Sequence, residues 1–113
     1  MRIIGFSRLM KHKVKNRGNN SLCTEIDKLI TDIESFQSNN TFELKQLRND
    51  ADCVHDDGFY FFDIHFHRTL VLIRFDEENT ATIVWVGNHQ DYEKTFKNNK
   101  KVIEKWLRSK SYI

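Results

Sequence analysis

Hydrophobic positions in this chain change period along its length. Between Ser21 and Phe36 they recur at three and four: Leu22, Ile26, Leu29, Ile30, Ile33 and Phe36 share one stripe, and Glu25 and Asp27 sit in the early turns where the helix dipole favours acids. That spacing predicts an amphipathic helix. From Phe59 to Phe66 the period falls to two: Tyr60, Phe62, Ile64 and Phe66 alternate with Asp63 and His65, followed by His67. This predicts a strand with one core face and one wet face. Thr69 to Phe75 is nearly continuous in apolar and β-branched residues, Asp76-Glu77-Glu78-Asn79 supplies a polar turn, and Thr80 to Val86 completes an antiparallel meander. Arg68 opens the middle strand. Trp85 alternates onto the face of Ile83 and so reads as core, and Gly87 ends the last strand with a residue free to take a positive φ.

The flanking segments are weaker. Met1 to Phe6 is short and β-prone, and Ser7 is the expected cap of a basic helix over Arg8 to Lys15, broken by Gly18-Asn19-Asn20. Ser38-Asn39-Asn40 predicts a loop, Phe42 to Leu47 a short helical turn, and Asp50 to Val54 the start of the sheet. Past the meander, Asn98 or Asn99 caps a closing helix whose stripe of Val102, Ile103, Trp106 and Leu107 docks on the fold while its lysines stay wet. The order is strand, two helices, meander, closing helix, an α+β class. There are no internal repeats and no proline.

A chain of 113 residues predicts one domain over 1–113, with a single core. Cys23 and Cys53 lack zinc-site spacing, and a disulfide framework is not expected from them. No stretch approaches the ~20 apolar residues needed to span a bilayer, and Met1-Arg2-Ile3-Ile4-Gly5-Phe6 has no signal-peptide layout, so the cytoplasm is the expected compartment.

The net charge of +2 conceals a segregation. Residues 1–17 hold six Lys or Arg and no acid, residues 94–110 hold seven and one acid, and the middle holds five against fifteen. If the two ends meet, they form a cationic surface able to hold a polyanion and release its counterions. The alternative is two solvated basic helices covering an acidic neighbour in the same fold.

The order of an aromatic-rich strand, then Arg68-Thr69-Leu70-Val71-Leu72-Ile73-Arg74-Phe75, then a turn and a strand closing in Gly87-Asn88-His89-Gln90-Asp91-Tyr92, resembles the RelE superfamily and, within it, the HigB-like toxins. The resemblance covers residues 59 to 94 well and the preceding elements more loosely. The shortest members stop near Lys94, whereas this chain carries on for a basic helix. The resemblance implies a RelE-like microbial RNase fold: a small antiparallel sheet packed against N-terminal helices, here with an additional C-terminal helix. It also implies a type II toxin that cleaves translated mRNA on the ribosome and is silenced by a cognate, HigA-like antitoxin. No cofactor, metal or membrane is expected.

RNA cleavage by internal attack of the 2′-OH needs a base near that hydroxyl, an acid near the departing 5′-oxygen and a cation beside the phosphorane. His65, His67, Arg68, His89, Asp91 and Tyr92 offer a residue type for each role. Arg68 matches the family's central-strand Arg, and its fork suits phosphate oxygens in pairs; the competing role is an ion pair with Asp63. His89 matches the family's motif His, implied to act in acid/base catalysis or phosphate contact, against a role in stabilising the turn. Other members use Arg and Lys where this motif has His-x-Asp-Tyr. Tyr92 either stacks on a base or packs under the turn. His65 and His67, sharing a strand face with Asp63, make either a His-rich wall or an ordinary exposed face, and no third ligand is spaced to complete a His-x-His metal site. Arg8, Lys11, Lys13, Lys94, Lys97, Lys100 and Lys101 are candidate RNA-backbone contacts. His12 and His55 read as backbone contacts or solvated face rather than catalysts.

Two further classes fit the same residues. ParE-like toxins, which resemble this fold, bind DNA gyrase without cutting RNA, although such a protein has no need of the His and Arg cluster. A basic module that binds nucleic acid without chemistry is the third.

Overall fold

A computed structural model describes residues 1–37 and 40–113. Ser38 and Asn39, on which part of the expected loop falls, lie outside the described residues. The elements follow the order β1 (Arg2–Ile4), α1 (Phe6–Lys15), α2 (Asn20–Ser35), α3 (Thr41–Leu47), β2 (Asp52–His55), β3 (Phe59–Ile64), β4 (His67–Phe75), β5 (Asn79–Asn88), α4 (His89–Phe96) and α5 (Lys100–Ser109).

With one proline-free chain and few glycines, asparagine does much of the punctuation. Asn19, Asn40, Asn88 and Asn99 each cap a helix, accepting backbone N–H bonds from Leu22, Phe42, Asp91 and Lys101 respectively. The exception is α1, which starts at Phe6 rather than after Ser7. Gly5 precedes it with φ 78° and no side-chain cap. A Cβ at Gly5 would stand 3.0 Å from the Ile83 carbonyl, so both the backbone angle and the close approach call for glycine.

The expected meander forms the centre of a five-stranded sheet ordered β1-β5-β4-β3-β2. The sheet is mixed, because β1 pairs parallel to β5 over Arg2–Ile4 and Thr80–Thr82. Helices cover both faces. Leu9 of α1, the stripe of α2 and Leu44 of α3 pack against Tyr60, Phe62, Ile64, Val71, Ile73 and Ile83. Tyr92 and Phe96 of α4, with Ile103 and Leu107 of α5, pack against Phe59, Phe61, Leu70, Leu72 and Val84.

The second face of β3 is therefore wet only at Asp63: Phe59 and Phe61 are as buried as Tyr60 and Phe62. Phe59 to Phe62 is a continuous aromatic run rather than an alternating one, the pattern of a strand covered on both faces, and the polar alternation begins only at Asp63. The strand also stops earlier than expected. His65 and Phe66 have φ of 48° and 62°, the positive values that a two-residue type I′ hairpin turn requires, and Ile64 pairs directly with His67. Phe66 is consequently 83% exposed rather than core.

A bulge corrects the placement of Trp85. Leu70 pairs with Trp85 but Val71 with Ile83, so Val84 is the extra residue and the alternation inverts across it. Trp85 faces the α4 layer, half-buried and edge-on to Phe61 and Phe96, while Ile83 faces α1 and α2. Gly87 is needed for space and not for a positive φ: β5 runs on to Asn88, and a Cβ at Gly87 would stand 2.7 Å from the Trp85 ring. The two basic ends also separate, since α1 packs on one face of the sheet and α5 on the other.

Candidate functional site

The hairpin turn at His65-Phe66, the first residues of β4 and the start of α4 converge at one end of the sheet. His67 pairs with Asn88, and Arg68 sits between Asp63 on β3 and Gly87 on β5. An open cleft of about 370 Å³ is lined there by Asp63, His65, Phe66, His67, Arg68 and His89.

Adjacent residues of a strand point to opposite faces, and this divides the cleft into two walls. On the α4 side, Arg68 Nε forms an ion pair with Asp63 Oδ1 at 3.1 Å, and its guanidinium lies 4.5 Å above the Tyr92 ring and 5.9 Å from Phe61. The pairing with Asp63 that competed with phosphate binding is thus present. Both side chains keep solvent access, 29% for Arg68 and 58% for Asp63, so an anion can compete for the fork. The aromatic floor holds the guanidinium's plane while leaving its edge open.

On the α1 side, His67 meets His12: Nε2 of His12 and Nδ1 of His67 are 2.8 Å apart, one imidazole donating to the other. His67 therefore does not share a face with Asp63, and His65 belongs to the turn. Burial lowers the pKa of both His12 and His67; His67 and Lys15 act the same way on His12, and His65 on His67, with Asp91 opposing at both. Both imidazoles are thereby biased toward the neutral form, the form able to take a proton.

The residues of the α4 motif divide by exposure. Asn88 caps α4 through the Asp91 N–H, so capping falls to Asn88 and not to His89. The His89 side chain is 66% exposed at the cleft rim, with Nε2 3.8 Å from Glu93. Asp91 is exposed as well. Tyr92 is 2% exposed, its hydroxyl donating to Asn98 Oδ1 at 2.9 Å and its ring beneath Arg68. It packs under the turn and offers no free face to a base. Burial raises its hydroxyl pKa, with Arg68 opposing.

The predicted RNA contacts scatter. Arg8 and Lys11 stand beside His12, whereas Lys13 is held by Asp27 of α2 at 2.7 Å. Lys94 is exposed on α4 and Lys97 is its left-handed C-cap residue. Lys100 and Lys101 line a separate hollow with His55 and Asp56 by β2. Among the described residues no group of three or more His, Cys, Asp or Glu could hold a metal ion, both cysteines are free, and no helix is long and apolar enough to cross a membrane.

Two residues of consequence were not visible as such in the sequence. His12 sat among lysines in a basic helix, with nothing to show a partner fifty-five positions away. Arg48, 5% exposed, donates to Asp32 at 3.3 Å, to Asp50 at 2.7 Å and to the Asp63 carbonyl at 3.0 Å, while the Asp63 N–H donates to Asp50 at 2.9 Å. It fixes the backbone of the residue that holds Arg68.

A mixed sheet with helices before and after the meander, ending in a polar cleft at the β5–α4 junction, defines a small α+β protein with a RelE-like fold. The family model of HigB toxins, the RelE-like toxic component of a toxin-antitoxin system, matches residues 23–95, and the chain belongs to that family. It is the toxin of a toxin-antitoxin system, which implies an antitoxin partner. A comparison with curated proteins gave no significant match. The matched span contains His65, His67, Arg68, His89, Asp91 and Tyr92 but begins after His12.

Proposed function

We propose that this toxin is an mRNA interferase, an endoribonuclease that cuts translated mRNA at the ribosome by metal-independent attack of the 2′-OH. The observation that carries the reading is the 2.8 Å contact of His12 and His67 at the wall of a cleft whose other wall is Arg68. In the reaction the 2′-oxygen bonds to phosphorus as its proton passes to an imidazole, the P–O5′ bond breaks, and the departing 5′-oxygen takes a proton from an acid. The products are a 2′,3′-cyclic phosphate and a 5′-hydroxyl. A neutral imidazole of the pair suits the base, and the same group once protonated, or His89 at the rim, suits the acid. Arg68 would exchange Asp63 for the phosphate oxygens and stabilise the charge developing on the phosphorane. Asp91 is exposed beside the pair and favours the imidazolium once formed; Tyr92 positions Arg68 from below. Arg8, Lys11 and the α4 and α5 lysines would supply backbone contacts.

The test is induction of the wild type, His67→Ala and Arg68→Ala, with mRNA 5′ ends mapped by primer extension. New ends within translated codons for the wild type alone support the reading. Growth arrest with intact mRNA and broken DNA overturns it in favour of a gyrase-directed toxin.

A further inference from the structure

A second concavity lies on the α1 side of the His12–His67 contact. It measures about 510 Å³ and includes Arg8, Lys11, His12, Lys15, Trp85 and Val86 in its lining. Its floor exists because the strands differ in length. β1 pairs with β5 only as far as Thr82, while β5 runs on to Asn88, and α1 lies beside the remainder of that edge.

The charge on its wall is organised. Arg8, Lys11, His12 and Lys15 recur at i, i+3, i+4 and i+7 and so share one side of α1, with Leu9 in the core. None of the ion pairs among the described residues involves Arg8, Lys11 or Lys15, whereas Lys13, on a different side of the same helix, is paired with Asp27. Like charges so arranged repel one another, and the depressed pKa of His12 registers Lys15. An anion laid along them would relieve that repulsion. The opposite wall carries no charge but a rigid ring: Trp85 is held edge-on by Phe61 and Phe96 and packs closely over Gly87, yet it remains only half-buried and lines the groove.

We propose that this groove is a subsite for single-stranded RNA in which a base stacks on Trp85 and the neighbouring phosphates lie along Arg8, Lys11 and Lys15. The inference rests on the nuclease reading for the identity of the polyanion and extends it with contacts outside the cleft. A fixed aromatic face opposite a row of cations is what a single strand uses, since its bases are free to stack, while a duplex hides them. His12 lines this groove and touches His67, which lines the cleft, so a strand held here leads toward the His12–His67 contact.

The chain has two tryptophans, and a Trp106→Phe variant leaves Trp85 as the reporter. The probe is a short single-stranded RNA, 2′-O-methylated so that it cannot be cut. RNA should quench Trp85 fluorescence, and polyglutamate, an anion without bases, should not. Trp85→Leu should weaken RNA binding on the order of tenfold. Trp85→Phe should restore most of it, and each of Arg8→Gln, Lys11→Gln and Lys15→Gln should reduce the salt slope of binding by about 0.7. Saturation without quenching, equal quenching by polyglutamate, or unchanged affinity in a Trp85→Leu protein with unaltered melting would overturn the subsite. Quenching and loss on substitution in a protein that cleaves no mRNA would leave the groove standing and remove the nuclease reading. Cleavage by wild type with RNA affinity indifferent to Trp85→Leu, Arg8→Gln, Lys11→Gln and Lys15→Gln would remove the groove alone.

Discussion

Two arginines reach Asp63 from opposite faces of the sheet, and they are built for different work. Arg48, over the Phe62 ring, is buried and answered by two carboxylates and the Asp63 carbonyl. Arg68, over Tyr92, has one carboxylate, and both partners are partly in water. A buried guanidinium whose two terminal nitrogens are taken by fixed partners, with Nε sealed away from solvent, cannot accept a ligand without leaving charges stranded. One held by a single wet carboxylate can exchange that partner at little cost. The lesson is that an Arg-Asp pair in a structure does not by itself argue for or against a site; the exposure of the pair and the number of competing partners decide.

Arg68→Ala should break the contrast most visibly. If Arg68 stabilises the developing charge, cleavage should fall on the order of 10²–10³-fold, while unfolding in urea shifts by no more than about 1 kcal/mol. A loss of stability larger than the loss of activity would make Arg68 a framework residue. Arg48→Ala should do the reverse. It leaves Asp32 and Asp50 without their cation, each with a side chain only 19% exposed, and should cost about 3 kcal/mol of stability. Urea midpoints give the answer, and an Arg48→Ala protein as stable as wild type would show that the network is replaceable by water.

The histidine pair sharpens the site side of the comparison through pH. Both imidazoles have folded-state pKa values below the ordinary 6.5. As pH falls below 6.5 the unfolded chain takes up these protons before the folded one does. The stability tied to the neutral pair is thus fully present above pH 6.5 and is lost as pH falls through the lower folded values. Urea midpoints should decline over that window, and a His12→Gln, His67→Gln double variant should flatten the decline. The acid limb of the cleavage rate should likewise have its midpoint below 6.5; a limb above that value would exclude the pair as the base.

The smallest effect belongs to the turn. His65 and Phe66 occupy positive-φ positions where Asn-Gly is preferred, so His65→Asn with Phe66→Gly should raise stability by about 1 kcal/mol. Thermal melting measures this. No gain would mean that the exposed Phe66 and its contact with His65 already offset the backbone cost.

Much of the fold could be read along the chain. The stripe of α2, the meander and the closing helix followed from periods of 3.6 and 2, which each segment expresses through its own residues. The asparagine cap of α5 was legible for the same reason. The errors arose wherever one segment's state depends on another. The second buried face of β3 is made by α4 and α5, and the inverted face of Trp85 comes from a one-residue mismatch with β4. Arg68, His89 and Asp91 could be picked out because a short motif carries them. His12 and Arg48 could not, because neither has a local pattern that distinguishes it from a solvated cation.

The sequence by itself determined the α2 helix, the strands of the meander and the closing helix, with the core stripes of those helices, and the family motif that runs from Arg68 into α4. Those features depend on the periodicity and chemistry of neighbouring residues. The tertiary structure alone decided which cations face one another, which arginine is sealed and which is open, and that His12 completes a pair with His67. These depend on strand register, on one bulge and on which face of the sheet each helix covers, and such distances exist only once the chain has closed on itself.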